Sequence, residues 1–166
     1  DEERDMRTII LALVAAMITT SAQAFFWDTT PKTDARAVEC MAKAIYFEAG
    51  GESERGKIAV AKVVMNRVNS NGVYPDNVCD VVYQRTSKYS CQFTWTCRRN
   101  PKIVSNDVYE EAKQIAEAVL EGKIKEDPTN GSVSFNNTPF RGLRHHVKIG
   151  NHYFYRSRLV QIASGD

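Results

Sequence analysis

The stretch Val38-Glu39-Cys40-Met41-Ala42-Lys43-Ala44-Ile45-Tyr46-Phe47-Glu48-Ala49-Gly50-Gly51-Glu52 decides how this chain is read. Val38, Met41 and Ile45 recur at three- and four-residue steps, the spacing of one face of an α-helix, and Glu48 is the next residue in that register. A carboxylate therefore stands where a core residue is expected. Partial burial disfavours the ionised form and raises the pKa toward the range in which a carboxylic acid donates a proton near neutral pH. The plainer alternative is a last helical residue turning to solvent as Gly50-Gly51 ends the helix.

Outward from that stretch, Thr33 or Asp34 is positioned to cap a helix running to about Ala49. A second helix is predicted from about Glu54 to Val68, with Ile58, Ala61, Met65 and Val68 on one face and Val60 and Val64 widening it. Asn66 and Arg67 are conspicuous polar residues on that apolar helix. Asn71-Gly72 and Tyr74-Pro75 read as a turn, Asn77 as the cap of a short helix reaching Gln84, and Arg85 to Ile103 as loop. Ser105 is predicted to cap a helix carrying Val108, Ala112, Ile115 and Val119 on its core face, with Gly122 beyond its end. From Gly131 the pattern becomes strand-like: Ser132 to Asn136 alternates, and His146 to Ile149 is joined by Gly150-Asn151 to His152 to Tyr155 in a two-residue hairpin. The expected fold is α+β, a helical body followed by a small C-terminal antiparallel sheet, with a cleft between the two.

The 166 residues, 43% of them apolar, suffice for one compact domain, and no Pro/Ser-rich linker divides them. Met6-Arg7, the apolar run Ile9 to Ile18 and the small residues Ala22-Gln23-Ala24 have the layout of a secretory signal, so the mature protein is expected to begin near Phe25. Asp1 to Asp5 precede that methionine and read as a mis-assigned start or a cloning remnant. The organisation expected is upstream residues and signal over 1–24, a linker over 25–34 and a catalytic domain over 35–160, exported to the periplasm, envelope or exterior as a monomer with no stable membrane span. Without residues 1–24, 20 basic residues face 16 acidic ones. That mild excess suits an anionic polymer but is too weak and dispersed for nucleic acid. Arg98-Arg99 and Arg144-His145-His146 read as solvated loop charges.

Cys40, Cys79, Cys91 and Cys97, behind an export signal, favour disulfides. Of three possible connectivities, Cys91 with Cys97 closes the short aromatic loop and leaves Cys40 with Cys79. No Cys-x-x-Cys pair is present, the spacings fit no common zinc pattern, and neither metal nor cofactor is expected.

Cys40, Tyr46-Phe47-Glu48-Ala49, Gly51-Glu52, Gly56, Ala59-Val60-Ala61, Asn66-Arg67-Val68, Pro75, Val78-Cys79, Val82-Tyr83-Gln84, Cys91 to Cys97 and Ile149 to Tyr155 together, in that order, resemble the cell-wall hydrolase family typified by the spore cortex-lytic enzymes. The resemblance covers nearly all of residues 35 to 156. It implies a lysozyme-like architecture and cleavage of peptidoglycan glycan strands, with Glu48 as catalytic acid. The family commonly has Phe-Glu-Ala-Arg-Gly-Glu, whereas Gly50 stands here in place of that arginine, so a basic neighbour of the acid is expected to be missing.

Glycan cleavage requires a proton donor and a means of stabilising or trapping the oxocarbenium-like centre. Glu48 is one carboxylate. Glu52 is the nearest other but lies beyond the two glycines. A single strong carboxylate is what a lytic transglycosylase requires, because the substrate's 2-acetamido group or C6 hydroxyl replaces the second carboxylate and water. The expected substrate-binding residues are Glu52; Asn66, to orient Glu48 or an acetamido group; Gln92, Phe93 and Trp95 in the disulfide loop; Asn136 at a strand end; and His152 and Tyr153 on the terminal hairpin. Each has a structural alternative: Phe93 and Trp95 can plug the core, Asn66 can bridge helices, and strand alternation lets only one of His152 and Tyr153 face a cleft directly. The rival functions are a zinc amidase, disfavoured because His145 and His146 are adjacent on a strand and no His-Glu-x-x-His occurs, and a non-catalytic peptidoglycan-binding envelope module.

Overall fold

The structure, a computed structural model, describes residues 33–141 and 146–157, so the signal sequence, most of the 25–34 linker and the Arg144-His145 pair lie outside the described residues. Among the described residues four helices and two small sheets follow one another: α1 (Ala35–Ala49), α2 (Glu54–Val68), α3 (Val78–Val82), β1 (Arg85–Ser87), β2 (Ser90–Cys91), a 3₁₀ turn (Thr94–Cys97), α4 (Asn106–Leu120), then β3 (Ser134–Asn136), β4 (Val147–Ile149) and β5 (His152–Tyr155). This is the α+β arrangement expected, a helical body followed by a small antiparallel sheet. Among the described residues no helix is long and apolar enough to cross a membrane.

Helix starts follow local chemistry. The Asp34 carboxylate accepts the Arg36 N–H at 2.9 Å, Ser53 Oγ accepts from Gly56, and Asn77 Oδ1 accepts the Asp80 N–H while its amide donates back to the Asp80 carboxylate. Each side chain satisfies an N–H that the first helical turn leaves unpaired. α4 differs from expectation. Ser105 occupies its cap position without a side-chain bond. The Tyr46 hydroxyl, from the end of α1, instead accepts the N–H groups of Val104 and Ser105 at 3.0 and 3.1 Å. α3 is also shorter than predicted, ending at Val82.

α1 is central, packed chiefly on α4, then on α2 and α3. Its face Val38, Met41 and Ile45 is buried against Ala61 and Val64 of α2, Val81 and Val82 of α3, and Ala112, Ile115 and Ala116 of α4. Fully burying such side chains contributes about 1.5–3 kcal/mol each. Between α3 and α4 in the chain lies the region read as loop, which contains a short β1–β2 hairpin and the 3₁₀ turn. Its pairing has only two registered positions and a bulge, too little periodicity to be visible in sequence.

The second sheet has strand order β3-β5-β4, all antiparallel. Phe135, Phe154, Ile149 and Val147 share the face toward α2, where Ile149 and Phe154 pack with Ala59 and Val63. Ile149 pairs with His152 across the two-residue turn Gly150-Asn151, in which Gly150 has φ +55°. Glycine first is the pattern of a II′ hairpin turn. A second requirement acts at the same place: a Cβ on Gly150 would sit 1.9 Å from Glu52 Oε2.

The disulfides are Cys40–Cys79, tying α1 to α3, and Cys91–Cys97, bracing the aromatic loop. They close spans of 39 and 6 residues. In the chain-entropy account these are worth about 4 and about 2 kcal/mol. The paired substitution Cys40→Ser with Cys79→Ser is therefore expected to lower the melting temperature more than Cys91→Ser with Cys97→Ser, as calorimetry of the two variants would show; equal or inverted losses would reject the entropic ranking.

Candidate active site

Glu48 lies one residue before the end of α1 and is half-buried, on the side of the helix that carries Met41 and Ile45. Burial raises its pKa, and Arg98 and Arg67 oppose that rise without cancelling it. The carboxyl is thus held above the ordinary glutamate range, as a proton donor requires.

Arg67, on α2, bears electrostatically on Glu48; the sequence marked it as conspicuous without giving it a role. It is 4% exposed. Its Nε donates to the Val133 carbonyl at 2.7 Å, and its guanidinium carbon lies 5.3 Å from the ring centres of both Tyr74 and Phe93. The side chain is thereby fixed from three directions, and Nη1 is buried without a hydrogen-bond partner among the described residues. Arg98, just past the disulfide loop, is exposed. The residue at Gly50 supplies no cation, as expected, but two arginines on other elements act on the carboxyl electrostatically. Gly50 itself has helical φ and ψ of −56° and −33°. Its need for glycine is proximity, because a Cβ there would stand 2.6 Å from the Tyr46 carbonyl oxygen and 3.3 Å from Val108 Cγ1. A side chain at this position would require the end of α1 to shift at Tyr46 and the Val108 methyl to give by a few tenths of an ångström.

Glu52 holds the terminal hairpin. Its Oε1 accepts from Asn151 Nδ2 at 2.8 Å and Oε2 accepts the Asn151 N–H at 3.3 Å, across 99 residues of chain. It also acts electrostatically on His152. His152 is buried on the α2 side of β5, its ring 5.1 Å from that of Phe135, and its Nδ1 lacks a partner among the described residues. Burial lowers the His152 pKa and Glu52 only partly restores it, so the imidazole is neutral at pH 7. Tyr153 is on the opposite face, between Asn136 of β3 and Lys148 of β4, with the Lys148 ammonium 5.3 Å from its ring centre. Of the two hairpin candidates, His152 is the one on the Glu52 side. Asn136 is tied locally, accepting the Asn137 N–H.

Two expectations about the binding surface are corrected. Phe93 and Trp95 are only 2% and 4% exposed and belong to the helical core, so they offer no face to a sugar. Trp95 stacks on Phe47 at 4.6 Å and 28°, while Phe93 lies between Arg67 and Phe135. A short loop closed by a disulfide has few apolar residues to anchor it, and both rings serve that end. Gln92, between them and Cys91, is half-buried, and its N–H donates to the Gln84 carbonyl. Asn66 is structural, but it bridges α2 to a turn rather than to another helix: its amide nitrogen donates at 2.9 Å to Asp127 Oδ2 and at 2.9 Å to the Ser132 carbonyl. Burial alone would raise the Asp127 pKa, but hydrogen bonds from Thr129, Asn66 and the Thr129 and Gly131 backbone outweigh it and hold the carboxyl below its usual range. Asn66 thus fixes the turn that leads into β3, where Arg67 finds the Val133 carbonyl.

Among the described residues no three His, Cys, Asp or Glu side chains converge as metal ligands. Two surface depressions lie away from Glu48, one lined by Glu54, Arg55, Ile58, Ile124, Glu126 and Pro128, the other at the start of α1 and α3.

The family model for cell wall hydrolases matches residues 51–155, beginning just past Glu48. The spore cortex-lytic enzyme of Halalkalibacterium halodurans is 33% identical over 101 residues, 60% of this chain and 27% of that enzyme. That of Bacillus subtilis is 29% identical over 124 residues, 70% of this chain and 36% of the enzyme. The chain therefore spans roughly a quarter to two-fifths of the length of these curated relatives. Among solved structures, the catalytic domain of the Bacillus cereus SleB protein superposes with a TM-score of 0.54 at 27% identity, covering 76% of this chain and 95% of that domain.

Because Arg98 lowers the Glu48 pKa and is exposed, its removal tests the electrostatics without opening the core. In Arg98→Gln the Glu48 carboxyl is expected to titrate at higher pH than in the parent, followed by carbon-13 NMR of the side chain. An unchanged or lowered titration midpoint would show that Arg98 does not act on Glu48.

Proposed function

The chain belongs to the cell wall hydrolase family, and from that premise we propose that it cleaves the glycan strands of peptidoglycan, with Glu48 as the catalytic acid. The single observation that carries this reading is Glu48 itself: a half-buried carboxyl on the apolar side of α1, its pKa raised by burial and moderated by two arginines. The related proteins are spore cortex-lytic enzymes, which supports the substrate class.

We further propose the lytic transglycosylase route. Glu48 protonates the glycosidic oxygen as the bond from that oxygen to C1 of muramic acid breaks. The muramic C6 hydroxyl oxygen then bonds to C1, and its proton returns to the Glu48 carboxylate, so that no water is consumed and a 1,6-anhydro ring results. The engagement of both Glu52 oxygens with Asn151 supports this one-carboxylate scheme, since the nearest rival for a second role is held at the hairpin. Arg67 keeps the Glu48 environment polar and fixed, and neutral His152 lies on the Glu52 side as a hydrogen-bonding group. The apolar N-terminal run and the two disulfides support action outside the cytoplasm.

Replacing Glu48 by Gln keeps the shape and removes the proton, so glycan cleavage is expected to fall by about 10²- to 10⁴-fold with an unchanged melting curve. Mass spectrometry of muropeptides released by the parent protein decides the route: anhydro-muramic ends are expected, each one water lighter than a reducing end. Reducing muramic ends would make it a muramidase, reducing glucosamine ends a glucosaminidase, and metal-dependent release of stem peptides an amidase. Activity of Glu48→Gln within a few-fold of the parent would remove Glu48 from the mechanism.

A further inference from the structure

The segment from Arg85 to Lys102 contains five cations, Arg85, Lys88, Arg98, Arg99 and Lys102, and no Asp or Glu. The whole chain is net +2, so the remainder is net acidic by three. All five are exposed, and among the described residues no acidic side chain is ion-paired with any of them. Like charges gathered on 18 residues repel one another and weaken the folded state, so this clustering is not explained by stability.

The segment is held rigidly. β1 and β2 pair, Arg85 donates to the Lys88 carbonyl at 2.7 Å across the hairpin, and Cys91–Cys97 closes the loop that follows. It is also rooted beside the acid. Trp95 stacks on Phe47, the residue before Glu48, and Arg98 acts electrostatically on Glu48. At least one cation of the segment, Arg98, therefore lies within electrostatic reach of Glu48, and the others are carried by the same braced segment.

We propose that this segment binds the free carboxylates of peptidoglycan stem peptides, so that the protein selects glycan strands that still carry their stems. The inference rests on the glycan-cleaving reading for its choice of partner. A strand lying at Glu48 carries its own negative charges on its stems, and guanidinium and ammonium groups suit carboxylates. Separate phosphate-bearing wall polymers share the charge but have no reason to lie along the scissile bond.

The test uses Lys88→Gln, Arg99→Gln and Lys102→Gln combined, which leaves Arg85 bracing the hairpin and Arg98 beside Glu48. Binding is measured in the Glu48→Gln background by co-sedimentation with sacculi stripped of phosphate polymers, either native or with their carboxylates amidated. Exposed ion pairs are individually weak, so three together are expected to matter by about tenfold. Binding should fall by about that factor on amidation or in the triple variant, with little further loss when the two are combined. With Glu48 intact, the triple variant should lose cleavage of stem-bearing strands while cleaving stem-free strands as the parent does. Parent-like binding by the triple variant, indifference to amidation, or loss of binding on removal of phosphate polymers alone would overturn the proposal. Carboxylate-dependent binding by a protein that releases no new glycan ends would support the docking surface and defeat the catalytic reading, so the two fail separately.

Discussion

The seven residues from Tyr46 to Glu52 touch α4, the disulfide loop and the terminal hairpin, and the candidate site depends on that turn. Tyr46 caps α4 with its hydroxyl, Phe47 stacks on Trp95 of the disulfide loop, Glu52 clasps the terminal hairpin, and Glu48 stands among them. Polar groups at an element's end are usually satisfied locally or by water. Here the Tyr46 hydroxyl and the Glu52 carboxylate make four hydrogen bonds to partners more than 50 residues away in sequence, which fixes the end of α1 against both the helical body and the sheet. Gly50 permits this closeness, since a side chain there would meet the Tyr46 carbonyl and Val108. The glycine that departs from the family's usual arginine is thus a packing solution with an electrostatic consequence.

That consequence is met by cations from elsewhere. Arg67 is buried, anchored on Val133 and flanked by two rings. Burial lowers its pKa, while Tyr74 and Glu48 hold it up. Arginine tolerates such a place because its charge is spread over a planar group that stacks on aromatics and is lost only at very high pH. The chain of support continues outward, from Asn66 to Asp127 and the 127–132 turn, and from that turn to Val133. Asn66 therefore reaches the acid only through Arg67, one residue along the same helix.

What was legible in the sequence follows from range. Helices α1 and α2, the terminal hairpin and the α+β arrangement are written in apolar periodicity and local turn residues, and Glu48 was visible as a violation of that periodicity. The disulfide pairing was readable because a six-residue loop leaves little choice for the other two cysteines. The β1–β2 hairpin was not, because two paired positions and a bulge carry no pattern. Phe93 and Trp95 were read with their burial undecided because an aromatic residue in a polar loop has the same composition whether it anchors the loop or lines a cleft. Arg67 stood out as a charge on an apolar helix, but its partners, Val133, Tyr74 and Phe93, are set by tertiary packing. The Tyr46 cap of α4 was beyond reach for the same reason, as a long-range bond replaces the local Ser105 one.

The two arginines affect Glu48 in different ways, and the difference bears on how the site responds to its surroundings. Arg67 is shielded from solvent, so its field at Glu48 is little screened by salt. Arg98 is exposed and belongs to the cationic 85–102 segment, so its field weakens as ionic strength rises. Burial of Glu48, the largest influence, does not depend on salt. Raising the ionic strength therefore relieves one of the two opposing cations and leaves the burial intact, which moves the Glu48 pKa upward and extends the protonated, donor-competent form to higher pH. An anionic strand seated on the segment neutralises Arg98 in the same sense. On the proposed docking and the proposed role of Glu48, substrate binding and protonation of the carboxyl would be coupled, the seated strand favouring the protonated form of Glu48.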